Sequence, residues 1–139
     1  MKTKIFKSAL MAATLFAAIT VLSSCSKSDG GSGRDAFVGS YRTNMSFTYG
    51  GVVYQGTYTL TITKSSTNSS DIILGNIDDS GESARATVNG NAMTIPQQTI
   101  AGAGISGSGT LNGNVLNFST AETDTGGSQV NFTQTATKQ

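Results

Sequence analysis

The 139-residue chain sets nine Lys and Arg against eight Asp and Glu, has no His or Trp, and holds a single Cys. Without His it lacks the commonest general base and most metal ligands. Its basic residues form no clustered cationic surface, so nucleic acid is not an expected partner. Only 12% of residues are charged, and the wealth of Thr, Ser, Gly and Asn favours strands and tight turns over helices.

The first residues carry Lys2, Lys4 and Lys7, and Ala9 to Leu22 then run apolar apart from Thr14 and Thr20. That is a positive n-region followed by an h-region too short to cross a bilayer as a stable helix. The segment ends Leu22-Ser23-Ser24-Cys25, which resembles the lipobox of bacterial lipoproteins. The resemblance implies cleavage before Cys25, acylation of its thiol and of the new N-terminus, and a membrane as partner through those acyl chains. Several chains hold a protein on a membrane essentially permanently. Cleavage would leave six basic and eight acidic residues, a net charge of −2. Residues 1–24 are thus expected to be a signal peptide, and 25–35 the lipidated Cys with a flexible polar tether (Ser26-Lys-Ser-Asp-Gly-Gly-Ser-Gly-Arg-Asp35). Residues 36–139 are the expected folded domain. Ser26 stands where an Asp would signal inner-membrane retention in enterobacterial lipoproteins, and Lys27-Ser28-Asp29 resembles the export tags of Bacteroidetes surface lipoproteins. These resemblances imply the outer membrane, at its periplasmic face or at the cell surface.

From Phe37 onward period-two alternation replaces helical spacing. The first strand is expected over 37–49, with Tyr41, Met45, Phe47 and Tyr49 on one face. Gly50-Gly51 turns the chain into the second, over 52–64, where Val52, Tyr54, Tyr58, Leu60 and Ile62 alternate with polar residues. After a polar loop, Ser65 to Ser70, comes the third strand, Asp71 to Leu74. The turn Asp78-Asp79-Ser80-Gly81 leads to the fourth strand over 82–88, with Ala84, Ala86 and Val88 on one side. Asn89-Gly90 is a strong hairpin signal because both residues tolerate positive φ. The fifth strand carries Met93 and Ile95, and the sixth Ile105 and Leu111. Asn112-Gly113 repeats the turn before the seventh, with Leu116 and Phe118, and Thr123 to Ser128 leads to the eighth, with Val130 and Phe132. Thr87 to Ile95 matches Thr110 to Phe118 almost position for position, as two successive hairpins of a meander would. Connectors of about six residues or fewer make sequential strands antiparallel neighbours. Eight such strands most naturally close into an all-β, up-and-down antiparallel barrel; an open sandwich is the alternative.

Phe37-Val38-Gly39-Ser40-Tyr41 is similar to the opening Gly-x-Trp segment of lipocalins and other calycin barrels, with Tyr41 in place of Trp. Together with Ile95-Pro96-Gln97-Gln98 and Gly107-Ser108-Gly109-Thr110-Leu111, the pattern resembles the small calycin-like lipoproteins of Bacteroidetes. The resemblance implies the barrel; the second and third lipocalin motifs, and the tryptophans with which avidin-type calycins hold biotin, have no counterpart here. On the expected inward faces, Tyr41, Phe47, Tyr54, Tyr58, Phe118 and Phe132 are the candidate ligand-binding residues, able to stack on a ligand or to fill the core.

Other motifs point to little chemistry. Gly102-Ala-Gly-Ile-Ser-Gly107 spells the dinucleotide fingerprint, which works only between a parallel strand and a helix. Asp124-Thr125-Gly126 matches the aspartic-protease triplet, which needs a second such carboxylate. Asp78, Asp79 and Glu82 could gather round a hard cation, but without the spacing of a known loop they suit a solvated turn. Gly107 and Gly109, on the face of Ile105, either bend their strand or leave space inside. Nothing in the pattern places two acids on one inward face, so an enzyme is not expected, nor a cofactor. Two functions remain: a binding module for a small apolar molecule or a glycan, and an interaction protein with a filled core that binds an envelope or host protein through its exterior.

Overall fold

A computed structural model describes residues 33–139, so the signal peptide and the Cys25 attachment site lie outside the described residues. Eight strands follow one another in chain order: β1 (Gly39–Tyr49), β2 (Val52–Lys64), β3 (Asp71–Gly75), β4 (Ser83–Asn89), β5 (Ala92–Ile100), β6 (Ala103–Asn112), β7 (Val115–Thr123) and β8 (Gln129–Lys138). Each pairs antiparallel with the next. β8 returns to β1 from Tyr41↔Lys138 to Phe47↔Phe132, closing one up-and-down barrel. A single closed sheet rules out the sandwich.

The alternation explains the closure. Along β2, Tyr58, Leu60 and Ile62 are buried while Thr57, Thr59, Thr61 and Thr63 face outward. Ile72 and Leu74, Ala84 and Ala86, Met93 and Ile95, and Leu116 and Phe118 continue the interior around the wall. Burying a large apolar side chain contributes roughly 1.5–3 kcal/mol. In an eight-stranded barrel such a lining just fills the lumen. The two matching hairpins are β4–β5 and β6–β7, with positive φ at Gly90 (61°) and Gly113 (58°).

The chain enters at what we call the near end, where β1 begins and β8 finishes. Phe37 does not start the first strand as the pattern suggested; it ends a four-residue helical turn, α1 (Arg34–Phe37), and the strand begins at Gly39. Phe37 is fully buried in the core, and its carbonyl accepts a 2.7 Å hydrogen bond from the Tyr41 hydroxyl. Arg34 donates to the carbonyls of Ser65, Asn68 and Asp71, and Lys138 Nζ to that of Ala36, so α1 is stitched across the near end. Asp71, buried on the outer face below this turn, accepts bonds from Arg85 (2.9 Å) and Thr87 (2.8 Å). Those two bonds hold its carboxyl below its ordinary pKa.

Three departures from regular pairing shape the wall. At Pro96, which has no N–H to give, the β5–β6 register shifts between Ile95 and Gln98. There the Gln98 side chain bonds the backbone N–H and C=O of Arg85 in place of a ladder. At Gly107 and Gly109 β6 lies so close to β7 that a Cβ on Gly107 would stand 2.2 Å from the Ser119 carbonyl oxygen. A Cβ on Gly109 would stand 2.5 Å from Phe118 Cβ, with Met93 Cε at 2.9 Å, so these glycines permit close packing and leave no hollow. Finally, β3 has five residues against the thirteen of β2 and pairs only with Thr61 to Lys64.

Candidate functional site

The far end of the barrel gathers the Gly50-Gly51 hairpin, the β3–β4 connection, the β5–β6 turn and the β7–β8 loop. Two features concentrate there: a polar network sunk into the lumen and an apolar hairpin standing out of it.

The network starts from a turn that sequence alone placed in solvent. A short 3-10 turn, Ile77–Asp79, puts Ile77 in the core and aims Asp78 into the barrel. The bend requires left-handed backbone at Asn76 (φ 59°), Asp78 (φ 53°) and Asp79 (φ 59°). Asn and Asp are the non-glycine residues that tolerate it best. The Asp78 carboxylate accepts bonds from the Thr120 hydroxyl (2.9 and 3.0 Å) and from Gln134 Nε2. Tyr58 OH donates to Gln134 Oε1, and the carboxyl of Glu122 lies close enough to Asp78 for the two to feel each other's charge. Four elements, β2, β7, β8 and the turn, are thereby tied across the lumen. Thr43 Oγ1, on the same inward face of β1, is the one buried side-chain polar atom among the described residues that lacks a hydrogen-bond partner.

Two acids therefore do meet on an inward face. Burial pushes the Asp78 pKa up. Burial, then the charge of Asp78, pushes up that of Glu122. Tyr58 is raised as well, chiefly by burial, so it remains a neutral donor. A raised carboxyl binds its proton more tightly folded than unfolded. Stability from the pair is therefore full below the ordinary carboxylate pKa of about 4 and falls as pH climbs through the raised values. Asp71 works the other way: its contribution is full above about 4 and is lost as pH falls through its lowered value. The opposed signs predict that these groups favour folding most near about pH 4, and urea unfolding across a pH series measures it. Asp78→Asn keeps an acceptor and tolerates the left-handed backbone. It is expected to be more stable than the wild type at neutral pH and to flatten the decline on the alkaline side; an unchanged slope would contradict the buried pair.

The pair has little room for a substrate. Glu122, with Ile77, Ser80, Ile100 and Ile105, borders a recess of about 130 Å³, well below the roughly 300–1,000 Å³ of ordinary ligand sites. The larger depressions lie largely on the outer wall. One of about 580 Å³ crosses β8, β1 and β2 between Asn44, Ser46, Gln55, Thr57, Thr133 and Thr135, over Met45 and Gly56.

The six aromatic candidates do not line one cavity. Tyr41 packs at the near end, while Tyr58 and Phe118 are buried mid-barrel. At the far end Phe47 stacks on Tyr54 (centroids 5.1 Å apart) and packs at a tilt against Phe132 (4.8 Å). Phe132 is covered there, but Tyr54 remains 45% exposed. With Tyr49 (61%), Val52 (54%) and Val53 (62%), Tyr54 makes the β1–β2 hairpin an exposed apolar tongue.

Thr43, Thr120 and Gln134 escaped the sequence reading, although each sits at the inward parity of its strand, and a polar residue at such a position is the available signal. The remaining motifs resolve locally. Gly102 to Gly107 runs from a turn into β6, with no helix after it. The Asp124 carboxylate caps its own turn by accepting from the N–H groups of Gly126 and Ser128. Asp79 receives a bond from Asn76, and no three acids or other ligand side chains among the described residues gather as a metal site.

No protein-family model matches this sequence, and a search of curated proteins finds no match.

Proposed function

We propose that the protein is an exported, lipid-anchored interaction module that meets a partner protein with the far end of a filled barrel. The observation that carries this reading is the distribution of apolar side chains. Inside, Tyr41, Leu60, Ile72, Leu74, Met93, Leu116 and Phe118 are buried against one another. Outside, Tyr49, Val52, Val53 and Tyr54 stand exposed on one hairpin. Exposed apolar side chains grouped at one place mark an interaction surface, whereas scattered ones need no explanation.

Orientation supports the same reading. Cys25 precedes Gly33 by eight residues, a reach of roughly 28 Å at most. The described chain starts at the near end, so a lipid on Cys25 would leave the tongue pointing away from the membrane. The reading places the protein at the outer membrane and assigns it no enzymatic role. A carrier of an apolar molecule or glycan would need luminal space that the packed side chains occupy.

The test is site-specific photo-crosslinking in intact cells. A photoreactive residue at Tyr54 is expected to give a discrete protein adduct, and one at Thr94, on the outer wall of β5, is not. Cys25→Ser is expected to abolish palmitate incorporation and release the protein from membranes. No adduct at Tyr54, together with saturable one-to-one uptake of a fluorescent fatty acid, would overturn the reading in favour of carriage.

A further inference from the structure

On the side away from β1, β2 has no ladder partner over Val52 to Leu60 among the described residues, because β3 stops at Gly75 opposite Thr61. Among the described residues, the bond to this edge is from Asn76 Nδ2 to the Thr59 carbonyl. Thr59 therefore points its carbonyl outward along the sheet, and by strand alternation Val53, Gln55 and Thr57 present their N–H and C=O groups there too. Natural edges are shielded by charge, proline or a bulge. Val52-Val-Tyr-Gln-Gly-Thr-Tyr-Thr-Leu60 contains no charged residue and no proline, and it pairs with β1 without a register shift.

We infer that this edge pairs with the same edge of a second copy, antiparallel about Gln55; the inference rests on the interaction reading above and names its partner. A two-fold axis at Gln55 sets Gln55 opposite Gln55 and Val53 opposite Thr57, so each of these residues can exchange backbone bonds with its counterpart. The same register sets Tyr54 opposite Gly56 on both sides of the axis. At Gly56 a Cβ would meet only Met45 Cε, at 3.8 Å. That open slot receives the half-exposed Tyr54 ring, and an aromatic laid across a strand glycine restores the missing packing. Within Val52 to Leu60 itself neither copy carries a charge, and the nearest acid, Asp79, is held by Asn76 at the Thr59 end of the strip. Beyond Tyr58 the Asn76 turn covers the edge, so the ladder ends there. A two-fold contact of this kind uses the edge completely and closes as a dimer instead of growing into a fibre. The strip is short, so the contact belongs with the weak interfaces that bury less than about 1,200 Å² in total.

Sedimentation velocity on the full-length chain in density-matched detergent, over a series from about 1 µM to about 1 mM, the span of weak association, tests it. The wild type is expected to pass from monomer to dimer. Gln55→Lys and Gln55→Glu, both at an exposed outward position, place like charges together on the axis. Each alone is expected to weaken dimerisation at least about tenfold, and an equimolar mixture to restore it. A wild type that stays monomeric overturns the inference, as do variants that self-associate like the wild type or a mixture that fails to recover. If the wild type is monomeric while Tyr54 still crosslinks to a different protein, the interaction reading survives and the second copy does not.

Discussion

Phe37→Ala is expected to lower the unfolding free energy by about 3–5 kcal/mol, the usual cost of emptying a fully buried phenylalanine site. The ring belongs to a turn that closes the near end, and little else there can collapse into the space. Its own carbonyl holds the Tyr41 hydroxyl, and the turn around it is fixed by Arg34 on one side and Lys138 on the other. A single domain of this size has only about 5–15 kcal/mol in hand. The loss would show as a large fall in the urea midpoint with a similar slope, while Phe37→Leu, which conserves more volume, should cost less than about 1.5 kcal/mol. A loss below about 1 kcal/mol for the alanine variant would mean that the near-end turn is an ornament on a barrel sealed without it.

Gly107→Ala should be severe for a different reason. The added Cβ would lie 2.2 Å from a main-chain oxygen and 3.2 Å from Thr120 Cα, neither of which can rotate away. β6 and β7 must separate where Gly107 opposes Thr120, whose hydroxyl bonds Asp78. Overpacking of this kind costs roughly 1–3 kcal/mol and sometimes more. Here it should also loosen the acid pair, so the variant's stability should depend less on pH above the ordinary carboxylate range. Gly56→Ala has the opposite expected sign, because its Cβ meets nothing tighter than 3.8 Å and alanine costs a strand less entropy than glycine, by roughly 0.5–1 kcal/mol. Equal effects at the two glycines, read by thermal unfolding, would refute the close approach of β6 to β7.

The barrel was legible because its cues are local. The alternation along β2 and the Asn-Gly turns are written in neighbouring residues, and short connectors leave meandering as the simplest path. The lumen was half legible. Parity assigns Thr43, Thr120 and Gln134 inward, but nothing nearby names the group they serve. That group arrives from a turn whose Asn76, Asp78 and Asp79 accept left-handed backbone without specifying which way the bend faces. The glycines of β6 were ambiguous between bending and hollowing, and the outcome depended on Phe118 and Met93 from other strands. The free edge was present in the sequence as a mismatch of lengths, a long second strand followed by a third of four or five residues.

The seam between β1 and β8 joins residues almost the whole domain apart, Tyr41 with Lys138 and Phe47 with Phe132, and the Gln139 N–H bonds back to Ser40. A wall sealed by its last strand has no native order to settle into until that strand arrives. Contacts of such long range also make for slow folding, on the order of milliseconds to seconds. The same adjacency brings Ser40 and Gln139 together, so a short peptide could join the two ends and a new start could be cut at the Asn112-Gly113 turn with the wall still intact.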